Sequence, residues 1–184
     1  LLELLAQRQV PLPALLIVNI RLLRARNDAE FDGPAAQLAA VALSQTDYRE
    51  SEKNYEVAPD GITRRGYTIY GAAFAAPYAP WDGCFAAWCV SWVAPDGFPI
   101  SSDCALWASV LAQNGCFKSD SPLPGDILFL DADMDGTPDR TAIVTALDGQ
   151  EFQTVAGDVD GRVQDVRYDL RDGRISGFGC FKKT

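Results

Sequence analysis

Residues 124–179 read PGDILFLDADMDGTPDRTAIVTALDGQEFQTVAGDVDGRVQDVRYDLRDGRISGFG. Five runs within it, DILFLD, RTAIVTAL, EFQTVAG, RVQDVRYDL and RISGFG, are rich in β-branched and aromatic residues and are parted by Gly or Asp turns. That pattern predicts a set of short antiparallel strands. Upstream of Pro122 and Pro124 the pattern is helical. Asp32-Gly33-Pro34 opens a helix over about 34–45, with Asp32 placed to cap and Pro34 in the first turn. Residues 83–92 carry Ala, Phe, Trp and Cys with no polar face, which predicts a helix buried on most sides, with Asp82 at its N-terminal edge. Ser101-Ser102-Asp103 supplies capping groups for a third helix, CALWASVLAQN, which stops at Gly115. Between the first two helices, Ala58-Pro59-Asp60-Gly61 marks a turn, and residues 54–70 read as a loop or loose hairpin. Helices first and an antiparallel sheet afterwards make the fold class α+β, with N-terminal helices packed on a C-terminal sheet.

The chain has 184 residues, of which 48% are hydrophobic and 22% charged, so it holds about one packed domain. The simplest division is a domain over 34–184 preceded by an apolar and basic arm, 1–33. The uncharged run within that arm, residues 9–20, is shorter than the roughly 20 residues a membrane span requires, and Pro11 and Pro13 interrupt it. It also lacks the order of a signal peptide. The arm either packs on the domain or serves as an oligomerisation or docking segment.

Charge and composition exclude several functions. Sixteen basic residues against 25 acidic ones give a net charge of -9, which repels nucleic acid and anionic membrane surfaces. The chain contains no histidine, which removes every Ser-His and Cys-His mechanism. The five cysteines, Cys84, Cys89, Cys104, Cys116 and Cys180, show neither CxxC spacing nor flanking histidines, so a zinc site or redox dithiol has no basis in the sequence. Core thiols and structural disulfides both remain open, and the odd count leaves at least one thiol unpaired within the chain.

One loop has the spacing of a calcium site. Asp131, Asp133, Asp135 and Asp139 occupy positions one, three, five and nine of an EF-hand-like loop, Gly136 occupies position six, and Thr137 offers a backbone carbonyl. Position twelve, where an EF-hand has a bidentate glutamate, is Ala142, so any calcium binding is expected to be weak. The same residues also suit a plain strand-to-strand turn.

Several blocks in order give the chain a resemblance to the CHAP (cysteine, histidine-dependent amidohydrolase/peptidase) domains, papain-like cell-wall hydrolases of Gram-positive bacteria. These blocks are SQTDYRESEKNYEV, GYTIYGAAFAAPYAPW, PGDILFLDADMDGTPDRTAIV, FQTVAGD and RISGFG, spanning about residues 35–179. In that family a pattern like W-C-A-x-F-V-S-x-C carries the nucleophile. Here Trp81, Phe85 and Cys89 fall on its Trp, Phe and second Cys, which puts Asp82 in the nucleophile's place. The family's histidine base corresponds to Arg140. Its Glu-Gly-Asn-like turn corresponds to Ala156-Gly157-Asp158.

The resemblance therefore implies a papain-like fold with every catalytic role altered. A helix N-terminus that stabilises a thiolate also suits a carboxylate, and a guanidinium cannot shuttle a proton at neutral pH. The expectation is an Asp82–Arg140 ion pair in a catalytically inactive site, with Trp81, Asp82, Arg140, Ala156 and Asp158 forming a binding cleft. Of the aromatic residues near the buried helix, Trp81 alone is assigned to that cleft. Cell-wall peptide or a protein is the implied partner, and export to the cell surface or beyond is the implied location. The rival reading is an active amidase or endopeptidase using unorthodox groups, with Cys84 as the only alternative nucleophile near the site.

Overall fold

The computed structural model describes residues 33–182; all of the 1–33 arm but its last residue, and the Asp32 cap with it, lies outside the described residues. Among the described residues four helices and eight strands follow one another as α1 (Gly33–Leu43), β1 (Tyr55–Val57), β2 (Arg64–Gly66), α2 (Ile69–Ala73), α3 (Asp82–Ser91), α4 (Cys104–Gln113), β3 (Phe117–Lys118), β4 (Ile127–Leu130), β5 (Arg140–Asp148), β6 (Glu151–Val159), β7 (Arg162–Asp169) and β8 (Ile175–Gly179). The fold is α+β. Strands β3 to β8 form one six-stranded antiparallel sheet in the order β3-β8-β4-β5-β6-β7, and β1 pairs with β2 in a separate hairpin.

All five expected strand runs form, and the helices near 34, 83 and 104 form as well. Two short elements carry no sequence signal: β3 is held by its pairing with β8, and α2 starts at Thr68, whose side chain accepts from Gly71 N–H. The 54–70 segment is an ordered hairpin that ends in this helix. Its turn is fixed by the Asp60 carboxylate, which accepts from Ile62 N–H, Thr63 N–H and the Thr63 hydroxyl at 2.9, 2.8 and 2.6 Å. The cap of α4 resolves to Asp103, whose carboxylate accepts from Leu106 N–H at 2.8 Å.

Side-chain alternation along the sheet separates two cores. Ile127, Phe129, Ile143 and Val155 face the helices and join Leu38, Tyr70, Phe85, Trp88 and Trp107. Leu128, Leu130, Ala142, Val144, Ala156, Phe152 and Phe178 pack on the opposite face. Burial on both faces explains why β4 reads ILFL rather than alternating with polar residues. Helix α3 lies across β5 and β6 and contacts α1 and α2 on its other sides. Its first nine residues are all buried, and each large apolar side chain placed there contributes about 1.5–3 kcal/mol. The N-terminus of this enclosed helix therefore abuts the start of β5. Among the described residues no helix is long and apolar enough to cross a membrane.

Candidate functional site

Asp82 is the first residue of α3, and Arg140 is the first residue of β5. The register that sets Leu130 against Arg140 and Phe129 against Thr141 brings this end of β5 to the helix N-terminus. Asp82 Oδ2 accepts from Thr141 N–H at 2.9 Å and from the Cys104 thiol at 3.8 Å, while Arg140 Nη1 stands 3.4 Å from Oδ1. The ion pair expected from sequence is present, at a separation longer than the roughly 2.7–2.9 Å of a tight charge-assisted bond. The Asp82 side chain is 9% exposed and that of Arg140 48%. Burial drives the Asp82 carboxyl above its usual range, against the opposing pull of Thr141 N–H, Arg140 and the first helical N–H groups. Arg140 stays half in water, so the cleft wall presents a permanent cation backed by a buried acid.

Asp158 reaches the same helix end by a different route. The pairing of β6 with β7 shifts between Ala156 opposite Gln164 and Val159 opposite Arg162, which inserts one extra residue on β6. Such a bulge re-aims a side chain, and here Asp158 takes φ 59° and accepts from Trp81 N–H through Oδ2 at 3.1 Å. Gly157 makes this close approach available: a Cβ there would stand 2.6 Å from Phe85 Cβ and 2.9 Å from Trp81 Cζ3. The Asp158 carboxyl is pushed up to about 6, first by burial and then by the Asp82 and Glu50 carboxylates, with Trp81 N–H and Arg140 opposing.

The bulge also corrects one expected cleft residue. Ala156 precedes it and points into the core on the far face of the sheet, away from α3, so it does not line the cleft. Trp81 lines the cleft, as expected. The residue is 1% exposed, stacked on Tyr70 at 5.5 Å with Tyr48 edge-on at 6.0 Å, so it forms a buried wall of the cleft.

A cleft of about 390 Å³ opens beside these residues, lined by Glu50, Arg64, Arg65, Trp81, Arg140 and Asp158 among others. Glu50, Arg64 and Arg65 went unassigned in the sequence. Glu50 Oε2 lies 3.4 Å from the Trp81 indole N–H, and its own backbone N–H donates to the Gly161 carbonyl at 2.9 Å. Its presence within the SQTDYRESEKNYEV block was the available signal, but its position depends on a contact more than a hundred residues away.

The two cysteines nearest Asp82 do not supply a nucleophile to this site. All five are free. Cys84, the alternative nucleophile, is 4% exposed, and burial pushes its thiol up to about 11. Cys104 is also raised, by burial first and then by Asp82, Asp103 and Asp139. Neither is a thiolate at neutral pH.

The acidic loop joins β4 to β5 and ends at Arg140. One carboxylate oxygen from each of Asp131, Asp133 and Asp135 lies within 4.8 Å of the others. The loop backbone uses part of this acceptor capacity: Gly136 N–H donates to Asp131 at 2.7 Å, and Thr137 N–H donates to Asp135 at 2.8 Å. Asp139, expected as a further ligand, accepts from Ala132 N–H at 2.9 Å and stands outside this three-carboxylate group. Three convergent hard oxygens suit calcium chemically, with Asp131, Asp133 and Asp135 as its holders. At ten times its dissociation constant the ion adds about 1.4 kcal/mol, so saturating calcium is expected to raise the thermal midpoint by about 3–5 °C. A melt unmoved by calcium assigns the loop to turn formation alone.

Comparison with family models, curated proteins and solved structures finds no match to this chain.

Proposed function

We propose that this is a papain-like domain of the CHAP type that binds instead of cleaving, acting at the cell surface or outside the cell on cell-wall peptide or on a protein partner. The observation that carries the reading is the Asp82–Arg140 pair at the N-terminus of a buried helix, 3.4 Å apart, at the two positions that correspond to the family's nucleophile and base. A carboxylate held by a guanidinium neither attacks an amide as a thiolate does nor exchanges a proton at neutral pH.

The cleft charges support a choice of ligand. Glu50, Asp158 and Asp160 stand in one cleft with Arg64, Arg65 and Arg140. Groups of both signs suit a short peptide that carries a free amine and a free carboxylate, as cell-wall stem peptides do.

Asp158 favours the rival reading to one degree, because a carboxyl at about 6 is placed to serve as a base near neutral pH. Turnover separates the two. Purified Gram-positive peptidoglycan incubated with the protein is expected to release no fragments by mass spectrometry, while isothermal titration with soluble stem peptide is expected to give binding that Arg140→Glu weakens at least tenfold. Fragment release by wild type and not by Asp158→Asn would reverse the assignment to an active hydrolase.

A further inference from the structure

We propose that Cys116 and Cys180 are a disulfide-forming pair that staples the last strand of the sheet to its edge. Strands β3 and β8 run antiparallel, with Phe117 opposite Gly179 and Lys118 opposite Phe178. One further step of that register sets Cys116 opposite Cys180, and Cys180 N–H donates to the Cys116 carbonyl at 2.8 Å. Directly opposed residues of an antiparallel pair have Cα atoms about 4.5–5.5 Å apart. A disulfide spans roughly 4.4–6.8 Å between Cα atoms, so the backbone is already in range.

The surroundings of the Cys180 thiol include its proposed partner. Burial raises the Cys180 thiol first, the Asp126 carboxylate next, and Cys116 adds to the same direction against Lys118. In the reduced form the Cys116 thiol rests 3.7 Å from the Asn114 carbonyl, a weak contact that costs little to give up. The other cysteines are less well placed. Cys84 and Cys89 sit five residues apart on α3, on different sides of the helix, and the Cys104 thiol is directed at Asp82.

Access sets the order of events. Cys180 is partly exposed and Cys116 is buried, so a small disulfide of the glutathione class meets Cys180 first. The Cys180 thiolate attacks one sulfur of that disulfide, forming a mixed disulfide and releasing one small thiolate, which takes up the proton lost by Cys180. The Cys116 thiolate then attacks the Cys180 sulfur and expels the second small thiolate, which takes up the proton lost by Cys116. Two protein thiols and one small disulfide thus give one protein disulfide and two small thiols. The bond closes a loop that takes in every strand from β3 to β8, including the start of β5 that carries Arg140. This inference stands independently of what the cleft binds.

The test uses the full chain, equilibrated with oxidised glutathione at mildly alkaline pH, quenched in acid, alkylated after unfolding, and mapped by mass spectrometry after combined trypsin and chymotrypsin digestion. The expected result is a loss of about 2 Da, three alkylated cysteines of the five, and a cross-link between the peptides holding Cys116 and Cys180. The oxidised chain should melt higher than the reduced one, and Cys180→Ser, a change at a partly exposed position, should abolish both the cross-link and that difference. Five alkylated cysteines after equilibration, or a bond joining any other pair, overturns the proposal.

Discussion

Gly125→Ala is expected to cost about 2–5 kcal/mol and to lower the thermal midpoint by about 10 °C. Two effects add. Gly125 has φ 88°, a left-handed conformation that costs a residue with a Cβ about 1–2 kcal/mol. A Cβ there would also overlap the Ala35 carbonyl and stand 2.6 Å from Ala35 Cα in α1, and overpacking of this kind costs about 1–3 kcal/mol. Neither neighbour yields easily. Gly125 N–H donates to the Val144 carbonyl at 2.8 Å, and Val144 N–H returns to the Asp126 carbonyl at 2.9 Å, so the turn is bolted to β5. Helix α1 must back away and lose contact with β5. Calorimetry of the purified variant measures this directly, and a fall of less than about 3 °C would contradict the argument.

That glycine shows where sequence reasoning ends. Its Pro-Gly-Asp context was visible as the opening of a strand, but the reason for glycine lies in a helix ninety residues earlier. The strand runs of β4 to β8 were legible because β-branched residues and Gly or Asp turns are local signals. The burial of α3 was legible because it lacks a polar face. The Asp82–Arg140 pairing was expected only through a resemblance; physically it rests on β5 starting beside the first turn of α3.

The bulge was not legible. Whether β6 gains a residue between Ala156 and Val159 depends on how β7 pairs with it, and no run of six residues records that. The sequence assigned Ala156 and Asp158 to one turn facing one cleft, and the bulge sends them to opposite faces of the sheet. Trp81 was legible as a cleft residue, but the depth of its burial was not, because the Tyr48 and Tyr70 rings that pack on it are placed only by the fold. Glu50, Arg64 and Arg65 are polar residues whose role exists only once the fold sets them around one cleft with Trp81, Arg140 and Asp158.

Asp158→Asn is expected to stabilise the protein at pH 7 by on the order of 2 kcal/mol, about 4–8 °C in midpoint, and to leave its stability at pH 4.5 nearly unchanged. The Asp158 carboxyl is raised from 3.8 to about 6, so the folded chain holds its proton more tightly than the unfolded chain. Its favourable contribution is complete below pH 4 and is lost as pH rises through 6. Burial raises Asp82 and Asp126 in the same direction. The lowered carboxyls, Asp60 and Asp169 at about 2 and Asp172 through its bond to Arg174, act only as pH falls below 4, outside this window. Wild-type midpoints should therefore decline from pH 4.5 to 7.5, and the Asn variant should decline less. Asparagine is the right substitution because it tolerates φ 59° and keeps an oxygen for Trp81 N–H. A wild-type midpoint that climbs across this range would refute the assignment. The same repulsion bears on binding under the proposed function: Glu50, Asp82 and ionised Asp158 crowd one helix end, and an amine entering the cleft relieves that crowding. Ligand affinity should then rise with pH through 6 in wild type and not in Asp158→Asn, which ties the least comfortable charge in the fold to the group the cleft is proposed to recognise.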